Sequence, residues 1–143
     1  MAGITREVKV IKCWRYLEAE PPIPSIRVKV YGVKESVESA FRLDTGYPGQ
    51  LLISTDLYEK LGLHLAELPE KEFGVYRTAS GLVEMKRSQA KIIVPDLGID
   101  MEVIVETPRR ILFERNLVGR ELINRLKLLL DGIKGEDCII EYE

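Results

Sequence analysis

Apolar and polar residues alternate through most of this chain, and that two-residue period predicts strands. Residues 5–18 alternate with β-branched and aromatic side chains, as expected of a strand with one buried face, and Pro21, Pro22 and Pro24 end it by removing ladder donors. Ser25-Ile26-Arg27-Val28-Lys29-Val30-Tyr31 is a second strand that stops at Gly32, and residues 35–39 form the end of a hairpin leading into a third that closes on Asp44. Gln50-Leu51-Leu52-Ile53 reads as a buried strand. Ser54 or Thr55 then caps a short helix to Leu61, with Gly62 as its stop. Residues 64–71 form a polar loop that carries His64 in a surface role.

Two alternating runs, residues 73–78 and 82–87, flank Ala79-Ser80-Gly81 and predict a hairpin with a flexible tip. The return arm continues to Val94, Pro95-Asp96-Leu97-Gly98 turns it, and a strand runs from Ile99 to Glu106, closed by Pro108. A further strand is expected around Ile111-Leu112-Phe113. Leu122, Leu126, Leu129 and Leu130 recur at helical spacing and predict an amphipathic helix from Arg120 to about Leu130, ended by Asp131-Gly132. A last strand covers 137–142. The expected fold class is all-β: a closed or partly open barrel with one short helix after the Asp44 strand and one C-terminal helix.

Composition narrows the setting. The chain has 143 residues with a 45% hydrophobic fraction, enough for one domain with its own core. No linker or internal repeat marks a second one: residues 1–24 read as an N-terminal strand and Pro-rich connection, and 25–143 as the core. Its 21 Lys and Arg against 23 Asp and Glu give a net charge of -2, which offers no reason to expect nucleic acid or an anionic membrane as partner. No window approaches the roughly 18 apolar residues of a membrane span. The first residues lack the basic-then-apolar pattern of a signal peptide. A cytoplasmic location is the default expectation. Cys13 and Cys138 lack metal-ligand spacing, and with His64 the sole histidine no zinc site or other cofactor is expected. Both cysteines lie in apolar runs, which favours two buried thiols; a disulfide between terminal strands is the other reading, suited to a thermophilic source.

The candidate chemistry sits in Leu43-Asp44-Thr45-Gly46, where a strand delivers a carboxylate into a tight turn. Leu117-Val118-Gly119-Arg120 follows later in the chain, an apolar pair running into Gly-Arg and a helix start. These two motifs, in this order with a Gly-bearing hairpin between them, resemble the retropepsin-like aspartic proteases, the single-lobe family that includes the retroviral proteases and microbial relatives. The resemblance covers roughly residues 25–142. It implies that Asp44 is the catalytic acid and that the Thr45 hydroxyl locks two such turns across a dimer axis. It also implies that the Gly46 backbone faces bound peptide, that Ala79, Ser80 and Gly81 lie at a flap tip, and that Leu117 lines a substrate pocket.

Two positions depart from the family. Pro48 stands where retroviral proteases place the acid that pairs with the motif arginine, so Arg120 needs another partner, either a backbone carbonyl or a different acid. Arg42 replaces an apolar residue on the strand face of Asp44. It either lines a pocket for acidic substrate side chains or snorkels into solvent.

Peptide hydrolysis of this kind uses two carboxylates sharing one proton, one activating water and the other polarising the scissile carbonyl. The chain carries one such triplet, and Asp56, Asp96, Asp100, Asp131 and Asp137 lack its context. An active enzyme is therefore expected to be a homodimer with its site on the two-fold axis, built through the terminal strands and acting on peptide or unfolded-protein substrate. The alternatives are a catalytically inert peptide-binding or dimerisation module of the same fold, and a plain β-barrel in which the triplet is incidental.

Overall fold

The computed structural model describes residues 7–79 and 81–142. Among the described residues ten strands and two short helices follow in order: β1 (Val8–Arg15), β2 (Ser25–Tyr31), β3 (Ser36–Asp44), β4 (Leu51–Leu52), α1 (Thr55–Lys60), β5 (Gly74–Thr78), β6 (Gly81–Val94), β7 (Ile99–Pro108), β8 (Leu117–Gly119), α2 (Arg120–Ile123), β9 (Leu128–Asp131) and β10 (Glu136–Tyr142). Residues 5 and 6, expected in the first strand, and Ser80 at the hairpin tip lie outside the described residues.

Seven strands form one sheet in the order β2-β3-β8-β4-β7-β6-β5, and a further pairing of β2 with β6 bends it into a partly closed ring. Period-2 alternation builds its core. Ile26, Val28 and Val30 point inward from β2 while Arg27 stays exposed, and Ala90, Ile92 and Val94 do the same from β6. With Phe41, Leu51, Val103, Val105 and Val118 they make one buried cluster. Helix α1 closes one side: Ser54 Oγ accepts from Leu57 N–H at 3.2 Å, and Tyr58 and Leu61 are fully buried. The polar loop after it winds into two 3-10 turns, Leu63–Ala66 and Glu70–Glu72.

Strands β1, β10 and β9 form a separate three-stranded sheet in that order. Here four expectations need correction. The C-terminal helix stops at Ile123. The Leu128–Asp131 stretch pairs with β10 instead, because Asp131 and the four residues after it make a tight hairpin turn, Lys134 N–H donating to Asp131 Oδ1 at 3.1 Å. Leu129 and Leu130 consequently face outward at 42% and 51% exposure rather than extending a buried stripe.

Strand β1 alternates as expected but lacks a buried face. Only Trp14 along it is half-buried, and Val8, Val10 and Ile11 are exposed. Cys13 lies directly opposite Cys138 in the β1–β10 ladder, with Cα atoms 4.1 Å apart, so the two thiols are joined as a disulfide rather than free and buried. The Ile111-Leu112-Phe113 stretch is irregular chain with Ile111 and Leu112 in solvent, since no neighbouring strand offers it a ladder.

The terminal sheet meets the ring at the start of β2. Trp14 Nε1–H donates to the Ser25 carbonyl at 2.6 Å, and the buried Asp137 accepts the Ser25 N–H on Oδ2 at 2.8 Å. Among the described residues its other oxygen is buried without a partner. Burial raises the Asp137 carboxyl to about 6, with the Ser25 hydrogen bond opposing the shift. Among the described residues no helix is long and apolar enough to cross a membrane.

Candidate active site

Strand β3 ends at Asp44, and its last three residues pair in parallel with β8: Arg42 opposite Leu117, Leu43 opposite Val118, Asp44 opposite Gly119. The two sequence motifs are therefore neighbours, in register. The turn after Asp44 is held by the acid itself, which accepts the Gly46 N–H on Oδ1 at 2.8 Å, while Tyr47 N–H donates to the Asp44 carbonyl at 3.2 Å. A Cβ on Gly46 would sit 3.1 Å from the same carboxylate oxygen, so the glycine serves close approach.

From the turn the chain crosses the start of α2 and hands it three acceptors. Arg120 N–H bonds the Tyr47 carbonyl at 2.7 Å, Glu121 N–H the Gly49 carbonyl at 3.3 Å, and Gly119 N–H the Gln50 carbonyl at 2.9 Å. A Cβ on Gly119 would collide with the Gly49 carbonyl, which is why the motif needs a glycine there. The Arg120 guanidinium reaches the Thr45 carbonyl through a long 3.5 Å hydrogen bond. With Pro48 in place of an acid, a backbone oxygen of the turn is its partner.

Beneath the turn lies a buried polar cluster that the sequence reading missed. Glu106, on β7 and 1% exposed, accepts from Tyr47 Oη at 2.5 Å, Tyr76 Oη at 2.7 Å and Arg87 Nε at 2.9 Å. The two tyrosine rings meet edge to face, centroids 6.0 Å apart. Burial, and after it the adjacent Glu106 carboxylate, pushes both phenols above their ordinary range, so both remain donors. Gly49 and Gly74 make room for this cluster, since a Cβ at either would lie 2.6 or 2.5 Å from a Glu106 oxygen. Tyr47 belongs to the Asp44 loop, whereas Tyr76 and Arg87 belong to the two arms of the β5–β6 hairpin. Glu106 thus ties hairpin and turn to one buried anion.

Above the turn a cavity of about 670 Å³ opens. It is lined by Asp44, Gly46, Tyr47, Pro48 and Leu52 of the turn and β4, by Tyr76, Arg77, Thr78, Val83 and Met85 of the hairpin, and by Pro108, Ile111, Phe113, Arg115, Leu117 and Arg120. Of the residues singled out from sequence, Asp44, Gly46, Pro48, Leu117 and Arg120 line this space. Thr45 is exposed beside it, and Ala79 and Gly81 stand at the hairpin tip while their neighbours Arg77 and Thr78 supply the lining. Arg42 is half-buried and does not line it. Cys13, Glu136 and Cys138 bring possible ligand atoms within 4.8 Å of one another, but the two sulfurs are bonded together.

The retroviral protease-like domain of Ddi1 from Leishmania major superposes on this chain with a TM-score of 0.52 at 13% identity, covering 85% of this chain and 94% of that domain. The chain has a retropepsin-like fold. An uncharacterised protein of Archaeoglobus fulgidus is 32% identical over 89 residues, 62% of this chain and 66% of that protein, so the chain spans just under two thirds of that relative. No protein-family model matches the chain. The retropepsin-like fold brings a single Asp-Thr-Gly turn, with one carboxylate, to the lining of a largely apolar cavity beside a hairpin.

Proposed function

We propose that this protein is an aspartic endopeptidase, hydrolysing peptide bonds with water activated between the Asp44 carboxylates of two chains. The observation that carries this reading is the register of Asp44 against Gly119, which puts the acid on a rigid strand end, fixed by the Gly46 N–H and facing an open cavity. One Asp44 takes a proton from water while the other, protonated, polarises the scissile carbonyl; two such groups in contact cannot both be ionised. Each chain supplies one acid, so the active species is a homodimer with an isologous interface. Thr45 and Gly46, exposed beside the acid, are the residues left to meet the partner turn and the peptide backbone. The outward apolar residues Val8, Val10 and Leu129, which the ladder sets on one face of the terminal sheet, are the surface we assign to the interface.

Asp44→Asn tests the catalytic assignment. The substituted protein is expected to fold and to cleave no unfolded substrate, and wild-type cleavage is expected to be blocked by a statine-type peptide mimicking the tetrahedral intermediate. Undiminished cleavage by Asp44→Asn would remove Asp44 from the chemistry. A second reading, an inert peptide-binding module, draws on Pro48 and the Tyr47–Glu106 bond, which remodel the loop after the acid. Peptide binding without any turnover would favour it.

A further inference from the structure

The charge lining the cavity is opposite in sign to that of the chain. Overall the protein is formally -2, yet the residues lining the cavity include three arginines, Arg77, Arg115 and Arg120, against one acid, Asp44. Among the described residues the Arg120 guanidinium has the Thr45 carbonyl as its partner and forms no ion pair. Arg77 and Arg115 are exposed at their positions and form no ion pair among the described residues. Arginines just outside the cavity differ: Arg87 is bonded to Glu106, and Arg109 to both Glu70 and Glu84. The uncompensated cations are thus placed where a ligand would lie. Arg77 comes from the hairpin and Arg115 from the irregular chain before β8, so they stand on different walls of the same concavity. Guanidinium forks bind carboxylates in a planar, two-bond geometry, and a concave surface lined by one sign of charge concentrates its field.

We infer that the cavity selects peptides carrying acidic side chains on either side of an apolar residue. Leu117 and Met85 receive the apolar side chain, and Arg77 and Arg115 receive the flanking carboxylates. This specificity rests on the peptidase reading for its cleavage arm but on the cavity alone for its binding arm.

The experiment compares two synthetic peptides with the same apolar centre, one flanked by Glu and one by Gln. Binding of fluorescently labelled peptide to Asp44→Asn protein is followed by anisotropy, and cleavage of the same peptides by wild type is followed as kcat/KM. The Glu peptide is expected to bind and to be cleaved about tenfold better, through two charge contacts of ordinary surface strength. The advantage should shrink as added salt screens it. Arg77→Gln combined with Arg115→Gln should abolish the preference, and Arg77→Glu with Arg115→Glu should shift it to a Lys-flanked peptide. Both positions are exposed, and unchanged thermal melts confirm that the variants fold. Equal binding of the Glu and Gln peptides, or a preference indifferent to both double substitutions, overturns the inference. Preferential binding of the Glu peptide with no cleavage by wild type leaves the inference standing and removes the peptidase reading instead.

Discussion

The ring and the terminal sheet each contain a buried carboxylate, and the two are treated in opposite ways. Glu106, in the ring, is met by a guanidinium and two phenols. Asp137, where the terminal sheet meets the ring, has one backbone donor and one oxygen with no partner among the described residues. The ring also closes around a continuous apolar core, whereas the terminal sheet leaves much of its apolar surface outside and is fastened by a disulfide. The ring satisfies its internal charge within one chain. The terminal sheet does not, and on the proposed reading that sheet is where a second chain docks.

The sharpest way to break that contrast is to remove the ring's anion. Glu106→Ala would leave Arg87 and two phenols without their acceptor, and urea unfolding should show a loss of about 3–5 kcal/mol. Next is the staple. Cys13 and Cys138 are 125 residues apart, and replacing both with Ser should cost about 3 kcal/mol in the same assay.

Asp137 gives a pH signature in place of a simple loss. Its folded carboxyl is raised to about 6 against an unfolded value of about 3.9, so the native state binds more protons than the unfolded state between them. Its neutral form suits the fold below pH 4, and stability falls as pH rises through that window. The expected decline is on the order of 2 kcal/mol in unfolding measured from pH 4 to pH 7, and Asp137→Asn should flatten it. The smallest effect on folding should come from Leu129→Lys, within about 0.5 kcal/mol because the side chain is exposed. Sedimentation should nonetheless show that substitution shifting a dimer towards monomer, and no shift would move the interface elsewhere.

What the sequence disclosed of this contrast was uneven, for physical reasons. Alternation located β2, β3, β5, β6 and β7, since each buries one face against a single core; β4 shows only as a short apolar run, and the three residues of β8 carry no strand signal of their own. The Leu43–Gly46 and Leu117–Arg120 motifs were visible as separate words, and their pairing in register, Asp44 against Gly119, is the structural fact that joins them. The terminal sheet was harder. A run such as Leu128-Leu129-Leu130 satisfies helical and strand patterns alike, and only the following turn and its pairing with Glu136–Ile139 decide. Alternation in β1 says which residues share a face but not whether either face is covered. The disulfide depends on which cysteines the ladder sets opposite each other.

Glu106 left only a faint local mark, an acid in the run Val103-Ile104-Val105-Glu106 with no turn residue beside it. Its partners Tyr47, Tyr76 and Arg87 come from three other segments. Arg77 and Arg115 looked like ordinary surface charges until the fold set them around one cavity.

The central claim is that Asp44 is half of a site completed by the Asp44 of a second chain. Co-refolding wild type with Asp44→Asn protein at fixed wild-type amount tests it directly, with cleavage of an unfolded substrate as the readout. If two chains share the site, random pairing dilutes the active dimers, and an equal amount of the substituted chain halves the rate. A rate that stays constant however much Asp44→Asn protein is added would show that one chain carries the whole site.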